Sequence, residues 1–396
     1  MPPNYVKRNY ITRKRLYVYT MPRVFQYRMY PTKAQASTLN RTLNLCRKVY
    51  NNTMALRRDA WDYDNESITC FDTHNELVVW KKEFPELKSV YSQVLQDTQL
   101  RVDLAYKAFF RRTKAGETPG YPRFKGYGRY DSITYPQAGY KVNESENIVK
   151  LSKIGNISTV IHRPTEGTIK QVNVRKTYTG KWFVSVVCDD IPEHHLPENG
   201  ESVGIDVGLK TFAMLSNGEA IENPRFYRKE EKALAKAQRK VAIAKTDAMK
   251  KVVARVYERI SNKRNNFAHQ LSRALVNAYG TICFEKLDIR SMVLRENHTP
   301  GTPHMAKGIM DAAWSKLIQY TTYKAEDAGR DVVLVNPAYT SQMCSRCGEI
   351  VAKDLSVRVH DCPHCGYVAD RDLNAAINIL RLGLQSLALA HRSPGL

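Results

Sequence analysis

Two pairs of cysteines, Cys344-x-x-Cys347 and Cys362-x-x-Cys365, stand fourteen residues apart near the end of the chain, and a glycine follows each pair in CSRCGE and CPHCGY. Four thiolates at this spacing can close a tetrahedron around one zinc ion, because each C-x-x-C turn presents two sulfurs to the same point. A redox C-x-x-C is the weaker reading, since there are two pairs and neither opens a thioredoxin-like βα unit. His364 lies inside the second pair, but four cysteines already complete the shell. A shell closed on all sides leaves no position open for catalysis, so the expected role of this one zinc ion is to fold a ribbon. The other cysteines, Cys46, Cys70, Cys188 and Cys283, stand alone. They fit scattered core thiols in a reducing compartment and not a disulfide framework.

A second set of residues suits a harder metal. Asp370 and Asp372 follow the last cysteine within a few residues, in ADRDLNAAINI. Asp206 interrupts the apolar alternation of SVGIDVGL, where an ionised group is costly unless it is paired or holds a cation. Glu285 ends the apolar run TICFE. Three acids on adjoining elements of one mixed α/β domain could hold two Mg2+ ions about 4 Å apart for in-line attack on a phosphodiester. Singly, each has a plainer explanation: a strand-end aspartate, a glutamate paired with lysine, a helix N-cap. The residues alone leave that choice open.

The 396 residues are enough for two or three domains, each with its own core. No run of about 18 apolar residues occurs, so no membrane span is expected. The formal net charge is +22. A chain this basic most often neutralises phosphates, which favours nucleic acid as the partner without separating DNA from RNA. The charge is uneven: residues 1–58 hold 13 Lys or Arg, and the first acid is Asp59. The N-terminus, MPPNYVKRNYITRKRLYVYT, is basic but lacks the apolar stretch of a secretory signal. Met21 precedes a better-patterned segment, so it competes with Met1 as the native start, with residues 1–20 an extension.

Residues 22–33 alternate around Val24, Phe25, Tyr27 and Met29 and stop at Pro31, which predicts a strand entering a turn. From Gln35 to Arg112 the pattern is helical. Leu43, Cys46, Val49 and Tyr50 form one stripe, flanked by Arg41, Arg47 and Lys48. A solvated basic face and a nucleic-acid face both fit. GETPGYPRFKGYGRYDSITYPQ interleaves Arg and Tyr on a Gly-rich loop, able to bring backbone to phosphate and rings to bases, or simply an irregular connector. Short strands are predicted over 145–190, the last two joined by a YTGK hairpin turn, making with Val24–Tyr30 a small barrel or sheet. IPEHHLPENG, residues 191–200, reads as a linker whose His194 and His195 are exposed and not metal ligands.

Beyond it, SVGIDVGLKTFAMLSNGEA predicts a hairpin with Asp206 on its first strand. Residues 228–264 carry 13 Lys or Arg against 4 acids on helical spacing that runs to Tyr279-Gly280. The strand TICFEKL, a mobile loop over 292–308, a helix over GIMDAAWSKLIQYTTYKAEDAG, the strand RDVVLVNP, the cysteine module and a helix DLNAAINILRLGL complete the chain. No internal repeat is evident.

The run GIDVGLKTFAMLSNG, then FEKLDI, then TSQMCSRCG and DCPHCG leading into ADRDLNAAINI resembles the three RuvC motifs and embedded zinc ribbon of the TnpB family. FQYRMYPTKAQ, LNRTLNLCRKVYN and GYPRFKG resemble it too, so the likeness runs along nearly the whole chain. That family comprises transposon-encoded RNA-guided nucleases related to compact type V CRISPR effectors. The resemblance implies a multidomain α+β fold, with an RNase H-like (RuvC) α/β domain interrupted by a zinc ribbon and a small wedge-type β-barrel holding an inserted helical bundle. Residues 1–33 would be the extension and first wedge strand, 34–118 the helical recognition domain and 119–192 the rest of the wedge. Residues 200–340 would be the first part of the nuclease, 341–368 the target-binding ribbon and 369–396 the last nuclease helix.

By the same resemblance Asp206, Glu285 and Asp372 match the catalytic, magnesium-binding acids. Asp372 is favoured over Asp370, which with Arg371 would support the site or the helix start. Cys344, Cys347, Cys362 and Cys365 match the zinc ligands. The expectation is an RNA-guided, Mg2+-dependent endodeoxyribonuclease that binds a structured guide RNA from its transposon end and cuts target DNA beside a short flanking motif. It would be a monomer in a prokaryotic cytoplasm, associated with the nucleoid and no membrane. The rival readings are a compact type V CRISPR effector, an RNA-guided DNA-binding repressor without cleavage, and a protein-only zinc-ribbon nuclease or DNA-binding protein.

Overall fold

In RVFQYRMY every second side chain from Phe25 turns inward, so Phe25, Tyr27 and Met29 are buried while their neighbours face outward; this is strand β1, Arg23–Tyr30. The computed structural model describes residues 22–296, 305–354 and 357–392. Both candidate starts, Met1 and Met21, and the 1–20 extension lie outside the described residues. The chain divides into two compact units, at Pro192 and Glu193.

In the first unit, Thr32 ends β1's turn and caps helix α1, Lys33–Asp64, through a reciprocal pair: Gln35 N donates to Thr32 Oγ1 and Thr32 N to Gln35 Oε1. Helices α2, Cys70–Glu83, and α3, Ser92–Lys114, follow. Leu43, Cys46, Val49 and Tyr50 are all buried in this unit's core. Six further strands complete it: β2 Ser132–Tyr135, β3 Tyr140–Asn143, β4 Ile148–Leu151, β5 Gly155–Val160, β6 Thr168–Lys176 and β7 Trp182–Asp189. They form one antiparallel sheet ordered β2-β6-β7-β1-β5-β4-β3. β1 thus sits at the centre although the helices separate it in sequence from every partner. Tyr140 on the β3 edge reaches the Ile169 carbonyl of β6 at 3.5 Å, so the sheet curls towards a barrel. The Gly-rich segment expected as a loop contributes β2, because Ile133, Thr134 and Tyr135 are buried against β6.

The second unit opens with β8 Ser202–Val207, β9 Thr211–Leu215 and β10 Ala220–Glu222. Two basic helices follow, α4 Phe226–Ala244 and α5 Asp247–Ala278. Strand β11 Thr281–Glu285 and strand β12 Asp331–Val335 lie parallel to β8, giving the sheet order β10-β9-β8-β11-β12. Helix α9, Arg371–Arg392, lies so close to the sheet that a Cβ on Gly204 would fall 2.1 Å from the Ala376 carbonyl oxygen. A Cβ on Gly383 would fall 2.2 Å from Cys283 Sγ. Only glycine admits either contact.

Two expectations are corrected. Residues 292–308 are not all loop: α6 spans Ile289–Glu296 and α7 spans Met305–Ala312, with 297–304 outside the described residues. Asp288 starts α6 by accepting the Ser291 amide at 3.0 Å, and Met292 and Val293 pack on the core. The helix expected over 308–329 is two. Ala313 breaks it at φ 55°, ψ 42°, and α8 Trp314–Ala328 restarts beyond. That left-handed residue costs about 1–2 kcal/mol, offset where Trp314 is buried at 3% exposure.

Candidate functional site

Strands β8 and β11 run parallel, with Phe284 opposite Ile205, so the next residues, Glu285 and Asp206, emerge side by side at the carboxyl ends of the two strands. Asp372 enters from α9, one turn before the Ala376 contact with Gly204. Burial pushes the half-buried Asp206 carboxyl well above the usual carboxylate range, and the charges of Glu285, Asp372 and Asp370 push it further, with Arg371 opposing. Burial also raises Glu285, while a hydrogen bond from Thr340 works against that rise. Glu285 and Asp372 thus lie near enough to act electrostatically on Asp206, although the three carboxylates do not form a tight ligand cluster as the cysteines do.

Their partners differ. Among the described residues no hydrogen bond or ion pair reaches the Asp206 carboxylate. Glu285 accepts the Thr340 hydroxyl on Oε1 only. Asp372 Oδ1 takes Arg371 Nε at 3.2 Å and Nη2 at 3.1 Å, and Arg358 lies 3.9 Å away. Asp370 is spent on the helix start, accepting the amides of Asp372 at 2.8 Å and Leu373 at 3.2 Å. A half-buried, unpartnered carboxylate repelled by three others suits a hard divalent cation, since such a charge relieves both the desolvation and the repulsion.

The four cysteine Sγ atoms lie within 4.8 Å of one another, and no other tight group of three or more metal-ligating side chains occurs among the described residues. Cys344 and Cys365 are 3.7 Å apart and Cys347 and Cys362 3.6 Å. Sulfurs held tetrahedrally at about 2.3 Å from zinc would stand about 3.8 Å apart. The cluster is consistent with a structural zinc site. Each pair forms the same knuckle: Gly348 N donates to the Cys344 carbonyl at 2.9 Å and Gly366 N to the Cys362 carbonyl at 2.8 Å. Both glycines have positive φ, 85° and 70°, which the turn requires. Burial pushes the Cys344 thiol up, but the amides of Cys347 and Arg346 and contact with His360 outweigh it and hold the thiol below its ordinary range. His364 is exposed. So are His194 and His195, the latter 2.8 Å from Glu193.

The ribbon joins the carboxylates through its edges. Strand β13 Val359–Asp361 pairs with β14 Val368–Asp370, which runs straight into α9. At the other edge, fully buried Asn374 accepts the Ser345 amide at 2.9 Å and donates to the Met343 carbonyl at 2.8 Å. Asn378, also fully buried, donates to the carbonyls of Thr340 at 2.9 Å and Met343 at 2.7 Å. Sequence reasoning passed over Thr340, Asn374 and Asn378. Two amides four apart on the apolar helix face NAAIN were the available signal for the asparagines.

Three family models match the chain: "Helix-turn-helix domain" over residues 21–66, "Probable transposase" (OrfB of IS605) over 184–296, and "Cas12f1-like, TNB domain" over 314–379. The first of these segments forms β1 and the single long helix α1 here. A Streptomyces pristinaespiralis protein described as "Putative RNA-guided DNA endonuclease" is 34% identical over 378 residues, 92% of this chain and 90% of the relative. "Putative RNA-guided DNA endonuclease InsQ" of Escherichia coli K12 is 31% identical over 380 residues, 92% and 93% of the two chains. The CRISPR-associated endodeoxyribonuclease Cas12f1 of Sulfoacidibacillus thermotolerans is 30% identical over 224 residues, 50% of each chain.

Proposed function

The chain belongs to the TnpB (IS605 OrfB) family, and on that premise we propose that it is an RNA-guided, Mg2+-dependent DNA endonuclease with one RuvC-like site. The observation that supports the reading is the placement of Asp206 and Glu285 at the carboxyl ends of β8 and β11, near enough to Asp372 for its charge to act on Asp206, whose carboxylate is unpartnered among the described residues. The strand order β10-β9-β8-β11-β12, with three antiparallel strands followed by two parallel ones, supports an RNase H-like domain interrupted by the ribbon.

In this reading Asp206, Glu285 and Asp372 hold two Mg2+ ions. Metal ions held there would supply an activated water and charge neutralisation for phosphodiester hydrolysis. Asp206 stays poised for cations because burial and its neighbours disfavour its bare charge. Arg371 holds Asp372 in place from one side. Asp370 fixes the first turn of α9, and with it the height of Asp372 above the sheet. The ribbon carries one structural zinc.

The RNA is a structured scaffold plus guide from the transposon end, and base pairing selects the target beside a short motif. Residues 34–118 would hold the guide–target duplex. Strand β1 and residues 119–192 would form the wedge around the scaffold, residues 200–340 and the last helix α9 the nuclease, and 341–368 the target-binding insert. The match to the IS605 transposase model supports a transposon origin for the guide over a CRISPR array. The protein would act as a cytoplasmic monomer on nucleoid DNA.

The test is cleavage of a guide-matched plasmid by protein carrying its co-purified RNA. Asp206→Ala should abolish cutting and leave target binding intact; undiminished cutting would sink the assignment. Absence of any enriched RNA, with bare DNA still cut, would leave a nuclease without a guide.

A further inference from the structure

Thr340 is nearly fully buried, at 3% exposure, and its hydroxyl donates to Glu285 Oε1. It sits between the end of β12 and the ribbon's root, with its hydroxyl also 3.1 Å from the Pro337 carbonyl. The Thr340 carbonyl accepts Asn378 Nδ2 at 2.9 Å, and the same amide donates to the Met343 carbonyl at 2.7 Å, one residue before Cys344. Asn374 then holds the Ser345 amide within the first cysteine knuckle. One unbroken set of hydrogen bonds thus runs from the Cys344–Cys347 knuckle, through two buried amides of α9, to a single oxygen of Glu285.

That arrangement has a chemical consequence. A carboxylate has two oxygens, and a fixed donor on one of them sets the plane of the group and leaves the other for a cation. Among the described residues, Glu285 Oε2 accepts no hydrogen bond.

We propose that Thr340 is a positioning residue that orients Glu285 for divalent-cation binding, and that the cysteine ribbon, by holding Thr340 through Asn378, completes the cation site as well as its own fold. The proposal rests on the metal-dependent reading of the three acids. Outer-sphere partners of metal-binding carboxylates are commonly worth 10–100-fold in metal affinity.

The test measures Mn2+ binding to the purified, zinc-loaded protein by electron paramagnetic resonance, with no cleavage step, for wild type, Thr340→Val, Thr340→Ser and Asp206→Asn. Melting temperature and zinc content are recorded for each. Thr340→Val should weaken Mn2+ binding by about tenfold or more with zinc content unchanged. Thr340→Ser, which keeps the hydroxyl, should restore most of it. If Asp206→Asn weakens binding and Thr340→Val does not, the positioning role falls while the metal site stands. If Asp206→Asn also leaves binding unchanged, the metal site and the positioning role fall together. Should Thr340→Val lose zinc or melt early, Asn378→Asp decides. It alters the donor to the Thr340 carbonyl while keeping the side chain's shape, and an unchanged Mn2+ affinity in that variant overturns the coupling.

Discussion

Asn374 accepts the Ser345 amide at 2.9 Å, and so fastens the first cysteine knuckle to the helix that carries Asp372 two residues earlier. Asn374 is fully buried, and the same side chain donates to the Met343 carbonyl. Asn374→Ala orphans the Ser345 N–H, at about 1–3 kcal/mol, while the Met343 carbonyl keeps its bond from Asn378. We expect a lower melting temperature and faster release of zinc to a colorimetric chelator. A variant with unchanged melting and release would mean that the knuckle does not depend on α9.

Zinc should be present at one ion per chain in natively purified protein, because the four Sγ atoms already stand at tetrahedral spacing. Cys362→Ser should lose the ion, since Cys362 is buried at the centre of the second knuckle. Elemental analysis checks both. Zinc retained at full stoichiometry in the variant would remove Cys362 from the ligand set.

Asp206→Asn should stabilise the protein in magnesium-free buffer at neutral pH while abolishing cleavage. The folded pKa of Asp206 is raised above its unfolded value, so the folded state holds the proton more tightly. Stability is then lost as pH rises from the ordinary carboxylate range towards the raised value, and the penalty is absent below that range. The melting-temperature gain should therefore be largest near neutral pH and vanish in acid, at roughly 2–4 °C per kcal/mol relieved. Added Mg2+ should raise the melting temperature of wild type and not of the variant. A variant that melts below wild type at neutral pH would show that Asp206 is not destabilised by its neighbours.

What could be read from the residues was what repeats locally. The cysteine knuckles declare themselves because spacing and glycine are both local. Asp206 stands out because it breaks an alternation, and α5 because its apolar residues keep helical spacing through Leu275. Thr340 was illegible: its partner Glu285 is fifty-five residues away, and the contact follows from the register of β11 with β12 and from Asn378. The break at Ala313 was hidden for a different reason, since apolar spacing continues straight through it. Strands β2 and β3 are four residues each, too short for a period to show.

The loop that precedes β2 offers a contrast between holding and exposing. Asn51 clamps its backbone, donating to the Lys125 carbonyl at 3.0 Å and accepting the Lys125 amide at 2.8 Å, with Arg47 adding a bond to the same carbonyl at 3.3 Å. On either side of that clamp Phe124 and Tyr127 reach the surface, at 46% and 86% exposure, with the guanidinium of Arg58 5.3 Å from one ring and that of Arg47 5.9 Å from the other. An exposed ring beside a cation gains little in folding but can stack on a nucleotide base, worth about 1–3 kcal/mol. Tyr127→Ala should therefore leave the melting temperature nearly unchanged and weaken binding of guide RNA or target DNA at fixed salt. Asn51→Ala should lower both, because it frees the loop that presents the rings. Nucleic-acid affinity untouched in Tyr127→Ala would return this loop to the role of a connector.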